Sequence, residues 1–418
     1  MTDTLAATTS RTYLRPPTAD RDLLFARFTP LFAQIAEGNV DRERSRTFPY
    51  AQVDLLKTNG FGLLRIPEEF GGYGASLEQT FDLLAALAAA DPNVAHVWRN
   101  HLAFVEDRLN AARSAATDRW LARFRDGEFV GGGWTEANNG TFANIATTVR
   151  RDGDVYRVDG AKFYATGSLY ADWLDVIGAS EDGLLTALVR RDDPGVELTD
   201  DWTGFGQQTT ASGSATYAGA AVDPDDVFGI TERFVYQGHF YQVAILAVLT
   251  GITAAAVREA TTALRARARN YPQAADQTPT RDPQLLQVIG EADAHGFGAA
   301  AALSAAARDL DAVAAAHAAG DLDARTALVR AAQLSTDRAQ LVIIEHALTA
   351  TTEVFDALGA SGVSSSIALD RHWRNARTLA SHNPRVYKAR IVGDWLVNGT
   401  DPVPVLGGIG GPRGGQGN

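Results

Sequence analysis

A chain of 418 residues with 45% hydrophobic and 21% charged residues is long enough for two or three packed units, and too apolar to stay disordered. Its net charge of −12 argues against a nucleic-acid partner, which needs a basic face, and the absence of cysteine excludes disulfides and thiolate metal sites. No run approaches the roughly 18 apolar residues of a membrane span, and the polar opening with Pro16 and Pro17 lacks a secretory core. A cytoplasmic protein without membrane contact is expected.

In chain order, residues 20–125 read as an N-terminal helical domain. Apolar residues recur at three- and four-residue spacing in Leu23, Leu24, Phe28 and Leu31, and again in Phe81, Leu83, Leu84 and Leu87. A glycine-rich loop, Phe61 to Gly74, interrupts the helices after Asn59-Gly60. Residues 126–233 change period. Short strand-like runs at 147–149, 155–158 and 162–166 are separated by Asp152-Gly153 and Asp159-Gly160, and a further pair flanks Glu181-Asp182-Gly183. These predict an antiparallel β domain.

From residue 234 to 400 the pattern is helical again, and Arg325 to Leu358, free of Gly and Pro, predicts one helix of about 50 Å. A Gly-rich tail, 401–418, is expected to be flexible. The order of helices, strands and helices is α+β. Within the acidic chain, Arg371 to Gly393 holds six basic residues and no Asp or Glu. It reads either as a basic face paired with acidic neighbours or as a wall facing an anionic ligand.

Four motifs then fall in order. Gly132-Gly133-Trp134-Thr135-Glu136-Ala137-Asn138-Asn139-Gly140 opens the β region, and Gly160-Ala161-Lys162-Phe163-Tyr164-Ala165-Thr166-Gly167-Ser168 follows its first hairpins. Ile66-Pro67-Glu68-Glu69-Phe70-Gly71-Gly72-Tyr73-Gly74 precedes them, and Asp201-Trp202-Thr203-Gly204-Phe205-Gly206 through Thr209 and Ser212 comes after. Together they resemble the flavin-binding and signature motifs of the acyl-CoA dehydrogenase superfamily. The resemblance implies that family's fold: an N-terminal helical domain, a central antiparallel β-barrel-like domain and a C-terminal four-helix bundle. It also implies flavin contacts from Trp134, Thr135, Asn138, Tyr164 and Thr166, and cofactor-phosphate contacts from Arg269 and Ser361, the former across a subunit interface of a homotetramer.

The segment that should carry a dehydrogenase's carboxylate base instead reads Arg374-Asn375-Ala376-Arg377-Thr378-Leu379-Ala380-Ser381-His382-Asn383-Pro384. It resembles the monooxygenase branch, in which dibenzothiophene monooxygenases are found. The matching implies site roles for His382 and His101, with His96 five residues away as the competing alignment, and a lesser role for Ser168. Imidazole titrates near neutral pH and suits proton handling at an oxygen adduct, a C4a-(hydro)peroxyflavin. The implied cofactor is a reduced flavin, FMNH2 rather than FADH2, with O2 as co-substrate. No strand-bound glycine fingerprint for NAD(P)H is present, so a separate flavin reductase is expected to supply it. Pocket walls are expected from Phe104, Phe205 and Tyr236 to Tyr241. The remaining alternatives are a dehydrogenase or nitroalkane-oxidase-like enzyme with its base at Glu345 or Glu353, or a non-catalytic flavin scaffold. His295, His317, His346 and His372 read as structural or exposed, with no metal spacing among them.

Overall fold

The computed structural model describes residues 11–137 and 144–402, together with the backbone pairing of 405–406 with 409–410. Asn138 and most of the Gly-rich tail lie outside the described residues.

Six helices come first: α1 (Arg21–Ala36), α2 (Asn39–Ser45), α3 (Tyr50–Thr58), α4 (Leu77–Ala90), α5 (Pro92–Asn110) and α6 (Ala115–Arg125). Their starts are written into the sequence. Asp20, Asp91 and Ser114 accept from the first free amides, and Ser76 with Gln79 forms a reciprocal capping box. Pro92 opens α5, where the missing N–H costs nothing. Every residue of α5 from Asn93 to Asn110 is buried, so this helix runs through the interior.

Eight strands follow: β1 (Val130–Gly133), β2 (Thr148–Asp152), β3 (Val155–Lys162), β4 (Trp173–Ser180), β5 (Gly183–Arg190), β6 (Val196–Thr199), β7 (Ser214–Val222) and β8 (Val227–Gly229). They form one sheet in the order β6-β7-β3-β2-β4-β5-β8, with β1 beside β4. The expected all-antiparallel pairing needs correction, because β1 and β2 both run parallel to β4. The Asp152-Gly153 turn joins β2 to β3 as expected, with Gly153 at φ +63°. Asp159-Gly160 is no turn: it lies inside β3, where the register against β7 slips between Val158 and Asp159. Gly160 sits at φ +142° against Thr147, where a β-carbon would collide, and the residue that the slip leaves unpaired is Gly219 of β7 at φ +65°, so the irregularity is a bulge in β7 rather than a hairpin.

The C-terminal part consists of α7 (Gln237–Ala266), α8 (Pro283–Ala319), α9 (Leu322–Leu358), α10 (Asp370–Ala380) and α11 (Arg385–Asn398). The three long helices pack on one another, and α10 and α11 lie against α9. By length and composition α7 would pass as a membrane span, contrary to the expectation that no segment approaches one. However, 94% of its most apolar window is buried in protein, which is the signature of a core helix. One continuous apolar core joins all three parts, and a smaller one closes the far end of α7, α8 and α9.

The basic stretch after residue 370 is mostly paired with acidic neighbours. Arg371 meets Glu259 at 2.6 Å, Arg374 meets Glu43 at 3.2 Å, Arg385 meets Glu345 at 2.5 Å and Lys388 meets Asp337 at 2.8 Å. It is therefore no free cationic wall.

Close approach of α4 and α7 depends on Gly251. A β-carbon at this position would overlap the Ala85 carbonyl and the Ala88 methyl. Alanine gains about 1 kcal/mol of helix propensity over glycine, but overpacking costs roughly 1–3 kcal/mol. Gly251→Ala should therefore lower the urea midpoint, and a raised midpoint would show that the two helices part freely.

Candidate active site

The candidate site is a cleft where α5, β1, the turn after β3, the start of α7 and the end of α10 converge. Arg99 and Asn100 of α5, Trp134 and Thr135 after β1, Tyr164, Tyr241 and His382 face it. Gly132 and Gly133 form its floor. Glycine is required at 132 because a β-carbon would occupy the space of the Asn100 amide, which donates to the Thr166 carbonyl at 2.9 Å. Bare backbone at this strand lets helix and sheet approach. Tyr164 holds φ at +56°, an unusual conformation for a side-chain-bearing residue and one that strained sites tolerate. It packs edge-on against Phe163 and Trp202.

Helix geometry decides between the two N-terminal histidines. Residues three and four apart share a helix face, so His96, Arg99 and Asn100 point the same way. His101, five residues after His96, lies about 140° around the helix. Its ring stacks on Phe129 and meets Trp98 and Phe124 edge-on, and its Nδ1 accepts from the Val130 amide at 3.3 Å. His101 is therefore a core residue and not a member of the cleft, which corrects the assignment implied by the motif alignment. Burial lowers its pKa to about 3.

His96 lies beside the cleft residues Arg99 and His382, held by a chain of side chains. The Glu43 carboxylate accepts from Asn375 Nδ2 at 3.3 Å, from Asn93 at 3.0 Å and from Arg374. Asn375 therefore turns Oδ1 toward Gln207, where it accepts the backbone N–H at 2.6 Å and Nε2 at 3.2 Å. With its amide nitrogen so engaged, Gln207 presents Oε1 to His96 Nδ1 at 3.0 Å. An acceptor there requires the proton on Nδ1, leaving His96 Nε2 as a buried lone pair without a partner. Gln207 holds φ at +53° to make these contacts. Burial first, then the nearby charge of Arg99, keeps the His96 pKa well below the usual imidazole value.

His382 follows the end of α10, which is pinned by Arg371 and His372 on Glu259 and by Asn375. Although exposed toward the cleft mouth, its ring stands among the cleft walls. That crowding, followed by the charge of Arg99, lowers its pKa. Arg99 Nη1 donates to His382 Nε2 at 3.1 Å, so the neutral ring carries its proton on Nδ1. Both histidines are therefore neutral at pH 7. Burial brings Arg99 itself down to about 10, which leaves it charged.

The other expected residues divide. Trp134, Thr135 and Tyr164 line the cleft. Thr166 is buried with its hydroxyl 2.8 Å from Ser212, and Ser168 is buried on the Ala211 carbonyl, so both hold the loop behind the floor. Arg269 and Ser361 are exposed and belong to the far end of the bundle, where Arg267 reaches the Ala357 carbonyl at 3.2 Å. Neither lines this chain's cleft. Of the expected walls only Tyr241 does so. Phe104 is packed on Trp120, Tyr236 is bound to Asn110 at 2.9 Å, and Phe205 stacks on Trp373. Gln207, Asn375, Glu43 and Arg99 were not singled out from sequence. Only the 96, 99, 100 spacing on α5 carried a signal for Arg99.

The chain matches the acyl-CoA dehydrogenase N-terminal domain over residues 29–128 and the acyl-CoA dehydrogenase C-terminal domain over residues 243–385. It belongs to the acyl-CoA dehydrogenase superfamily. Within that superfamily, a dibenzothiophene monooxygenase of Rhodococcus qingshengii is 28% identical over 392 residues, 87% of this chain and 91% of the relative. A probable FMNH2-dependent monooxygenase, SfnC of Pseudomonas putida, is 28% identical over 388 residues, 90% and 94% of the two chains. Among solved structures, the dibenzothiophene monooxygenase TdsC of Paenibacillus sp. A11-2, with FMN and indole, superposes with a TM-score of 0.83 at 27% identity. That match covers 93% of this chain and all of the other. The methanesulfinate monooxygenase MsuC of Pseudomonas fluorescens gives 0.81 at 26%, covering 92% and 98%.

Because the folded-state pKa of His101 lies below its unfolded value, its stabilising contribution is complete above pH ~6.5. It is lost by up to about 1.4 kcal/mol per pH unit as the pH falls toward 3. His101→Phe should cost roughly 1–3 kcal/mol at pH 7.5 by stranding the Val130 amide, yet flatten the loss between pH 6.5 and 5. Urea midpoints across that range test this, and an unchanged slope would contradict it.

Proposed function

We propose that this protein is an oxidoreductase, the oxygenase component of a two-component flavin-dependent monooxygenase using reduced FMN and O2. The observation that carries the reading is the composition of the cleft: among the described residues no carboxylate lines it, while the neutral His382 and a glycine-floored strand do, with a second neutral histidine, His96, beside them. A dehydrogenase of this fold needs a carboxylate base. Glu345 is on the surface with Arg385, and Glu353 lies 3.7 Å from His295 on the bundle. The similarity to SfnC and to FMN-bound TdsC supports FMN.

The residues present fit that cofactor. Trp134, Tyr164 and Tyr241 offer aromatic faces, Thr135 a hydroxyl, and the Gly132-Gly133 backbone a close approach for a planar ring. Reduced FMN, when bound, supplies the electrons that activate O2. The protein supplies proton donors, acceptors and shelter from water. His382 presents Nδ1–H as a donor, and Arg99 fixes that tautomer. His96 presents the Nε2 lone pair as an acceptor, and Gln207 fixes it. A neutral donor and a neutral acceptor side by side can hold an oxygen-bound proton in place.

Because the NAD(P)H fingerprint is missing from the sequence, a separate reductase delivers the reduced flavin. A homotetramer remains the favoured assembly. Supporting it are apolar side chains left in water on α8 and α11, among them Phe297, Leu286, Leu396 and Val397. In such an assembly the family resemblance puts Arg269 toward a neighbouring copy's cofactor.

Stopped-flow mixing of the protein and photoreduced FMN with O2 should give a transient absorbance band distinct from oxidised FMN. His382→Ala should abolish it. NADH oxidation by the purified chain alone would sink the two-component reading. Gln207→Leu, which removes the acceptor for His96 Nδ1–H, should leave FMN affinity within about threefold. The fraction of reduced flavin coupled to product should fall about 10- to 100-fold, on the scale of a lost acid–base group. Histidine nitrogen NMR should then show mixed tautomers at His96, and a single unchanged tautomer would contradict the relay.

A further inference from the structure

Five arginines are buried among the described residues, and four have a carboxylate partner. Arg65 is paired with Glu106 and Arg108 with Asp107. Arg233 is paired with Asp107 and Asp175, and Arg371 with Glu259. The fifth is Arg99, 9% exposed, with no carboxylate within 4 Å among the described residues. It is also the one formal charge among the described residues that line the cleft. A buried cation without a counter-charge is costly, and a fold retains it where a ligand completes the pair.

The way Arg99 is held says which part of it is available. Its guanidinium carbon lies 5.3 Å from the Tyr241 ring centroid, which fixes the plane. Nη1 is used on His382. Nε is buried and has no partner. The side-on edge of the guanidinium, Nε with Nη2, is therefore the free fork, and that edge takes a two-oxygen anion with parallel hydrogen bonds.

We propose that the substrate of this enzyme is an organic anion, a carboxylate or sulfinate, whose two oxygens dock on the Nε–Nη2 edge of Arg99. The assignment rests on the monooxygenase reading above but is tested by binding, not turnover. Anchored there, the substrate lies beside His382, and its reacting group is set by the distance between that group and the anionic end.

Calorimetric titration of the protein, with and without oxidised FMN, with benzenesulfinate and its neutral near-isostere methyl phenyl sulfoxide tests the idea. The wild type should bind the sulfinate at least tenfold more tightly than the sulfoxide. Arg99→Gln should erase that preference while leaving the Kd for FMN within threefold, and Arg99→Lys should keep part of it. Since glutamine removes an unmatched buried charge, Arg99→Gln should melt at or above the wild-type temperature, whereas a merely structural arginine would lower it. Equal binding of the two probes, no binding of the sulfinate, or FMN affinity falling together with sulfinate affinity would overturn the proposal. The last result would give Arg99 to the cofactor. Failure of FMN to bind the wild type would instead sink the flavin reading, leaving the FMN-free titration to decide the role of Arg99.

Discussion

The hydrogen-bonded chain from Glu43 through Asn375 and Gln207 to His96 is the constraint on which the rest of the site depends. Each member comes from a different part of the fold: α2, α10, the loop before β7, and α5. None has freedom to rotate its amide, because a carboxylate fixes one end and a backbone N–H the middle. In an interior of low dielectric such a chain is strong when complete and costly when broken. It positions α10 against α5, and so sets where His382 stands relative to Arg99.

Charge distribution around this chain is uneven. Beneath the cleft, Arg108 and Arg233 are matched by Asp107 and Asp175, and behind it Arg371 and His372 share Glu259. Burial raises the Glu43 pKa and three donors oppose that rise, while Glu259 is pulled down to about 2 because its two cationic or hydrogen-bonding neighbours outweigh its burial. Among the buried arginines of the described residues, Arg99 alone is left without a neutralising anion. An interior so thoroughly balanced elsewhere makes the exception a property of the site rather than of the packing.

Strain is concentrated in the same region. Tyr164, Gln207 and Ala211 all adopt positive φ, and all belong to the turn or loop that shapes the cleft. The cost is met by burial of the Thr166, Ser212 and Thr210 hydroxyls on one another and by the Asn375 contacts. The segment that the motifs mark through Thr166 as a flavin contact and through Ser168 as a lesser site residue thus acts largely as scaffold, with Trp134, Thr135 and Tyr164 left to face the cleft.

Period and punctuation in the sequence were enough to determine the division into helices, sheet and helices, because caps such as Asp20, Ser76 and Asp91, turns such as Asp152-Gly153, and apolar spacing are local signals. The motif order was likewise enough to determine the superfamily and the missing carboxylate. What only the tertiary structure decided was orientation. Asp159-Gly160 looks like a turn until β7 pairs across it, and α7 reads as possible membrane until its neighbours bury it. The choice of His96 over His101 turns on about 140° of helix rotation, and a motif alignment is blind to rotation. Nor does sequence reveal that Arg99 lacks a partner. An ion pair joins residues far apart along the chain, so whether a charge is matched is known only once every neighbour has been brought to it.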